Sequence, residues 1–287
     1  MSAETEGRAA AEKFRVDHHL GVQPLGDLVV TIEQATGFDV AMLRVEPDEH
    51  GLTMRDPVRG AVFIGVACTS NPMRQRSTLA HELAHVLFED WTDSSEVDWG
   101  GRDYTESRAD AFARHLLLPL QGLHEFLEER TTVAESDLSA VVQRFLLSPR
   151  MAAIQLEQGG HISTALKTQW KDLTTPQLAA RYGWTDQYLA LKAESEHPRA
   201  PQRLLARANR GYAESVLPAQ AIATLRGITV AEAEAELHKA GIFPIESEAV
   251  WAGASDLPEV DVDLTDLLET LGVPSDGDTD ERSERDL

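Results

Sequence analysis

Two histidines four residues apart constrain this chain more than any other feature of its sequence. They lie in residues 77–88, STLAHELAHVLF, where apolar residues recur every three or four positions, as they do on the buried face of a helix. Asn71 and Pro72 supply a helix start, because Asn caps a free amide and Pro needs no amide at the first helical position. The segment therefore predicts a helix with one face in a core.

His81 and His85 lie on one face of that helix, since residues four apart stack over one another. Two imidazoles in this arrangement can reach one metal ion, and Glu82 can touch a water on that ion without ligating the metal. A carboxylate there can take a proton from the water as the water attacks a carbonyl. The same HExxH pattern also arises by chance in helices whose histidines only sit in or near a core.

A third candidate ligand lies in residues 105–119, TESRADAFARHLLLP, an apolar-faced helix that Pro119 is expected to stop. Imidazole and carboxylate donors suit Zn²⁺, and a catalytic zinc site takes three protein ligands. Glu106 and Asp110 are four apart, so one can ligate zinc while the other accepts a hydrogen bond from a ligand histidine. We assign Glu106 the first role. The plainer alternative makes both carboxylates part of a solvated face with Arg114.

These two segments resemble the ImmA/IrrE family of metallopeptidases. HELAH, followed 21 positions after His85 by ESRADAFARHLLLP, is similar to that family's AHElgH helix and its ExxAxxFAxxLLxP helix. The resemblance covers residues 10–125 closely and extends more loosely to about residue 165. It implies a zinc site with the ligands His81, His85 and Glu106, the general base Glu82 and the supporting carboxylate Asp110.

The resemblance also implies a function. Members of this family are cytoplasmic peptidases that cleave or regulate helix-turn-helix repressors. We therefore expect a zinc-dependent metalloendopeptidase whose substrate is a cytoplasmic protein such as a basic DNA-binding repressor. One alternative is a non-catalytic regulatory protein that binds a repressor or DNA with the same fold, and another is a transcription factor with a vestigial peptidase domain. The intact HExxH favours catalysis, because a vestigial site has no reason to keep its base.

Charge composition narrows the partners. The chain has 26 Lys and Arg against 48 Asp and Glu, a net charge of −22, which disfavours nucleic acid and anionic membranes and favours a basic partner. Its apolar runs are far shorter than the roughly 20 residues of a membrane-spanning helix. The N-terminal residues lack the apolar stretch of a secretory signal, and Cys68 is the single cysteine. We expect a cytoplasmic protein.

The expected fold class is α+β, with a small zincin-like sheet and the HExxH helix, then an all-helical region and a disordered acidic tail. A helix is predicted from Leu25 to a stop at Gly37. Strands are predicted at residues 38–45 and 61–68, with Gly51 marking a turn between them. Residues 99–102 are expected to interrupt the helices.

Three regions are expected along the chain: a zincin-like metallopeptidase domain at 1–125, a helical region at 126–250 and an acidic tail at 251–287. Residues 256–287 hold 12 acidic and 2 basic side chains and little to bury, which is typical of disorder. Residues 136–160 resemble a helix-turn-helix, but beyond Arg150 the second helix has no basic side chain for DNA. Bundle packing or substrate recognition is favoured over DNA binding there.

Several side chains keep alternative roles. Cys68 can contact zinc or pack as a small apolar residue. Tyr104, Arg76 and His115 are candidate donors to an oxyanion, and nothing in the sequence chooses among them. The strand at 61–68 is expected to be an edge strand that pairs with an extended substrate, as in zincins. The remaining histidines have no partner at ligand spacing and are expected at the surface or at helix caps.

Overall fold

A computed structural model describes residues 1–45, 51–91, 99–128, 130 and 132–245. Its first part consists of α1 (Ala3–Asp17), α2 (Leu28–Thr36), β1 (Asp39–Leu43), β2 (Gly51–Arg55), β3 (Val62–Ala67), α3 (Pro72–Leu87) and α4 (Trp99–Leu117). Helices follow: α5 (Leu120–Leu127), α6 (Glu135–Phe145), α7 (Pro149–Gln158), α8 (Thr164–Trp170), α9 (Thr175–Arg181), α10 (Thr185–Ser195), α11 (Gln202–Ala213), α12 (Ala219–Arg226) and α13 (Val230–Lys239). The α+β class is confirmed, while the acidic tail lies outside the described residues.

The helix that carries the two histidines begins as its sequence predicts. Asn71 precedes α3 and its side chain accepts a hydrogen bond from the Arg74 amide, with Pro72 at the first helical position. Pro119 follows the end of α4, and Gly37 ends α2 with a left-handed φ of 71°. Neighbouring residues are enough to predict where these helices begin and end. Each such residue either pairs with an unbonded backbone N–H or C=O group at the helix end or lacks that group.

Two predicted boundaries are wrong. Helix α2 begins at Leu28 and not at Leu25, because the Asp27 side chain accepts a hydrogen bond from the Val30 amide and caps the helix there. The predicted break at residues 99–102 forms the first turn of α4.

The sheet contains a strand that the sequence did not predict. The strand order is β1-β3-β2, with β1 parallel to β3 and β2 antiparallel to it. Gly51 was assigned to a turn but begins β2, where only Thr53 is not exposed, so the strand lacks a buried alternating face. The prediction that residues 61–68 form an edge strand is therefore wrong, because β3 has a neighbour on both sides.

The outer edge of β1 is covered by the later part of the chain. The Met42 amide donates to the Arg199 carbonyl at 2.9 Å, and the Arg199 amide donates back to the Met42 carbonyl at 3.0 Å. The Arg199 side chain also pairs with Asp27 at 2.8 Å. Within the described ranges this leaves the outer edge of β2 as the unpaired edge of the sheet.

Helices α1 to α4 pack with the sheet around the first hydrophobic core. Helix α1 lies very close to α4, since a Cβ on Gly7 would come within 2.8 Å of the Phe112 amide nitrogen. A second core lies among α5 to α9 and includes Met73 of α3, and a third lies among α11 to α13. The domain limits at residues 125 and 250 stay predictions.

Residues 146–148 separate α6 from α7, and the helix-turn-helix stays a prediction. Ser148 caps α7 by accepting a hydrogen bond from the Met151 amide. In α7 only Arg150 and Gln158 are exposed, so the helix packs against the molecule over most of its surface. Trp170 and Trp184 are buried in the second core. No helix in the described part of the chain is long and apolar enough to cross a bilayer.

Candidate metal centre

Helices α3 and α4 bring His81, His85 and Glu106 together. One nitrogen or oxygen atom from each lies within 4.8 Å of the others. The two histidine Nε2 atoms are 3.0 Å apart, and Glu106 Oε2 lies 3.2 Å from His81 Nε2. Glu106 Oε1 lies 3.7 Å from His85 Nε2. Ala109 and Ala113 of α4 are small and are buried in the first hydrophobic core.

Asp110 lies behind His81, where the sequence predicted a supporting carboxylate. Its Oδ1 is 2.9 Å from His81 Nδ1. Burial lowers the pKa of His81, but the hydrogen bond and charge of Asp110, with the charge of Glu106, outweigh burial and raise it. The hydrogen bond from His81 also lowers the pKa of Asp110. When Nδ1–H donates to Asp110, the lone pair on Nε2 is free for a metal.

Asp90 lies behind His85 in the same way, and the sequence did not predict this contact. Asp90 Oδ2 is 3.2 Å from His85 Nδ1. The chain turns back after α3 because Glu89 takes a left-handed φ of 56°, and the Asp90 amide then donates to the His85 carbonyl at 2.9 Å. Five residues is not a helical spacing, so the turn that carries Asp90 back to His85 has no periodic signal.

Glu82 lies next to the three candidate ligands and against the edge strand. Burial raises the pKa of Glu82 above its ordinary value, while the charges of His85 and His81 partly oppose this rise. On the strand side, a Cβ at Gly51 would come within 2.6 Å of Glu82 Cδ. The carboxylate therefore sits between the histidines and the backbone of β2, and only a glycine fits at position 51 without moving it.

The five residues predicted for the site thus lie close together in the structure: His81, Glu82, His85, Glu106 and Asp110. A comparison with known families matches residues 27–157 to the IrrE N-terminal-like domain of the Peptidase_M78 family. Residues 27–157 are therefore similar to an IrrE N-terminal-like domain. This match confirms the resemblance to the ImmA/IrrE family that the HELAH and ESRAD segments indicated. The family is a family of zinc metallopeptidases. Among curated proteins, none matches the chain significantly.

The matched segment, residues 27–157, contains all five predicted site residues, and β2 and Asp90 as well. It does not contain α1, which precedes the matched segment although it packs directly against α4.

Three candidate oxyanion donors are held by other partners. Arg76 donates to backbone carbonyls, among them Gly26 at 2.7 Å and Leu146 at 3.2 Å. Tyr104 donates its hydroxyl to Glu6 at 2.6 Å. His115 is 1% exposed, and its Nε2 lies 2.9 Å from Glu4. Each of the three side chains therefore joins neighbouring segments of the structure by hydrogen bonds.

Cys68 packs against the first hydrophobic core and is not a member of the metal-ligand cluster. Burial raises the pKa of its thiol, as expected of a packed cysteine.

Two of the other histidines form a pair that the sequence did not predict. His124 and His161 had no partner at ligand spacing, yet their rings lie 4.6 Å apart, with Nδ1 of the first 2.9 Å from Nε2 of the second. The turn after α7 brings them together, which sequence spacing cannot indicate. His18 does cap a helix, at the end of α1, as expected.

Proposed function

We propose that this protein is a zinc-dependent metalloendopeptidase that hydrolyses a peptide bond in a cytoplasmic protein. The observation that carries the proposal is the convergence of His81, His85 and Glu106 within 4.8 Å, with Glu82 beside them. Two imidazoles and one carboxylate are the donor set of many catalytic zinc sites, which keep one position open for water or substrate.

The donor set fits Zn²⁺ on a further ground. Each histidine has its Nδ1 next to a carboxylate, His81 beside Asp110 and His85 beside Asp90, so both Nε2 atoms are directed into the same space. A zinc ion held by these two nitrogens and Glu106 would supply Lewis acidity toward a carbonyl oxygen and toward a water nucleophile.

Within that site Glu82 is suited to act as the general base. Burial raises the pKa of its carboxyl group, which makes the carboxylate a better proton acceptor than one in water. Glu82 would take the proton of the attacking water and deliver it to the nitrogen of the departing peptide. The position of Glu82 one step from His81 on α3 keeps it near the ligands without making it one of them.

Strand β2 is the best candidate for the surface that holds the substrate. Gly51 touches Glu82, so a peptide paired along the outer edge of β2 would run past the general base. Leu52 and Met54 are 49% and 52% exposed and would offer apolar contacts to such a peptide. Backbone pairing of an extended peptide with a sheet edge is a common mode of recognition.

A basic, DNA-binding repressor is our proposed substrate class. The net charge of −22 would attract a basic protein and repel nucleic acid, so the repressor rather than its DNA is the expected partner. The exposed part of α7 is restricted to Arg150 and Gln158, which disfavours its use as a DNA-recognition helix.

The test is a search for cleaved products. Zinc-loaded protein and the same protein stripped by a chelator would be incubated with a panel of basic helix-turn-helix repressors and with a cytoplasmic lysate. New N-termini would then be identified by terminal labelling and mass spectrometry. We expect new termini only with the zinc-loaded protein. Stoichiometric binding of a repressor without any new terminus would overturn the proposal and favour the non-catalytic regulatory protein.

The contact between β2 and Glu82 makes a second expectation. A Gly51→Ala variant should keep its zinc but lose turnover by about 10- to 100-fold, because the new methyl group displaces the Glu82 carboxylate and misplacement of about 1 Å can have that cost. The measurement is kcat on the identified substrate together with zinc content.

Gly26→Ala is the matched control, because a Cβ there meets no atom within 4 Å. Equal turnover in the two alanine variants would contradict the placement of Glu82 against β2.

A further inference from the structure

We infer that helix α1 completes the metal centre through three charged side chains, Glu6, Arg108 and Asp90, which connect it to the ligand His85. The inference rests on the proposed zinc site and assigns these residues as positioning residues of that site. It places part of the centre outside the segment that matches the IrrE N-terminal-like domain.

Arg108 is the middle residue of the three that connect α1 to His85. Its NH2 group donates to Asp90 Oδ1 at 2.6 Å, and its NH1 group donates to Glu6 Oε1 at 2.8 Å. The guanidinium also lies over the Phe88 ring, 3.9 Å from the ring centre. The side chains of Arg108 and Asp90 are only 12% and 15% exposed. Screening by water is therefore weak at this pair, and its geometry is held from several sides.

Glu6 holds the end of this connection that lies on α1. Its Oε2 accepts a hydrogen bond from the Tyr104 hydroxyl at 2.6 Å, and this bond, with those from Arg108, lowers the pKa of Glu6. Helix α1 cannot shift freely, since Gly7 lies against the backbone of α4. Glu6 is therefore a fixed anion on a fixed helix, and it orients Arg108.

Asp90 uses both carboxylate oxygens. Oδ1 accepts from Arg108, while Oδ2 faces His85 Nδ1 at 3.2 Å. A carboxylate held in this way keeps the histidine in the tautomer and ring orientation that present Nε2 to the metal. Loss of such a partner typically weakens metal affinity by about 10- to 100-fold. His81 has its own supporting carboxylate, Asp110. The connection from Glu6 through Arg108 to Asp90 therefore acts on His85 alone.

A second connection between α1 and α4 provides a matched control for the connection made by Glu6, Arg108 and Asp90. Glu4 also lies on α1 and also pairs with α4, through Arg114 and His115. In the described part of the chain no hydrogen bond joins that second connection to His81 or His85, and Arg114 acts on Asp110 only through its charge. A general loss of packing between α1 and α4 would affect both connections, whereas positioning of the metal would depend on Glu6 alone.

The experiment compares the wild-type 287-residue chain with its Asp90→Asn, Glu6→Gln and Glu4→Gln variants. Zinc affinity would be measured by competition with a chromophoric chelator, the visible spectrum of the Co²⁺ form would report ligand geometry, and Tm would report stability. We expect Asp90→Asn to bind zinc about 10- to 100-fold more weakly. We expect a smaller loss in Glu6→Gln, altered Co²⁺ bands in both, and affinity and spectrum like wild type in Glu4→Gln.

The experiment also distinguishes failure of this inference from failure of the proposed zinc site. If Glu6→Gln and Asp90→Asn bind zinc as tightly as wild type with an unchanged Co²⁺ spectrum, the inference is wrong and the zinc site stands. If Glu4→Gln weakens zinc binding as much as Glu6→Gln, the effect is helix packing and the inference is again wrong. A folded wild type that binds no zinc would instead remove the proposed function itself.

Discussion

A Glu82→Gln variant is expected to retain its zinc and to lose turnover by about 10²- to 10⁴-fold. The amide has nearly the same size as the carboxylate and fits the same space beside Gly51, but it cannot accept a proton from water. The measurement is kcat/KM on the identified substrate, with zinc content determined on the same samples by elemental analysis.

Two results would contradict this role for Glu82. Loss of zinc along with turnover would mean that Glu82 helps to hold the metal, and full biological activity would favour a protein that acts by binding alone. Glu125→Gln is a suitable control, because Glu125 is an exposed side chain on α5 whose hydrogen-bond partner is Gln121. This variant should keep both zinc and turnover.

Removal of a single ligand is expected to remove the metal. Purified wild type should contain about one zinc ion per chain, and His85→Ala and Glu106→Ala should contain almost none after dialysis, because a three-ligand site loses its geometry with any one donor. Elemental analysis gives the zinc content. Circular dichroism on the same samples would check that the helices remain folded.

Asp110→Asn separates a ligand from a supporting carboxylate. Asp110 contacts His81 Nδ1 and is not one of the three converging donors, so this variant should bind zinc about 10- to 100-fold more weakly and still be loaded at excess zinc. If Asp110→Asn loses zinc completely and Glu106→Ala keeps it, the two carboxylates have exchanged roles. A folded wild type that takes up no zinc would direct the search toward partner binding.

Local sequence carried most of the information about the predicted ligands. His81 and His85 share a face because of helical periodicity, and Glu106 and Asp110 share another for the same reason. The start of α3 and the ends of α2 and α4 also follow from residues within one turn of each boundary. Such features are determined by neighbouring residues, so no knowledge of the fold is needed to predict them.

Strand β2 shows where sequence patterns were insufficient. Its residues are mostly exposed and begin with a glycine, so they lack the alternation that marks a half-buried strand, and the strand exists because β3 offers it a hydrogen-bonding edge. The consequence for function is large, because this pairing moves the sheet edge from β3 to β2 and sets Gly51 against Glu82.

The sequence by itself therefore determined the α+β class, the histidine helix and the two carboxylates on α4, since all depend on short-range spacing. Only the tertiary structure decided which groups support those ligands. Asp90 reaches His85 through a non-helical turn, and Glu6 reaches Arg108 from a helix 102 positions away in the chain. Contacts of this kind depend on how the helices pack, and packing leaves no periodic mark in the sequence.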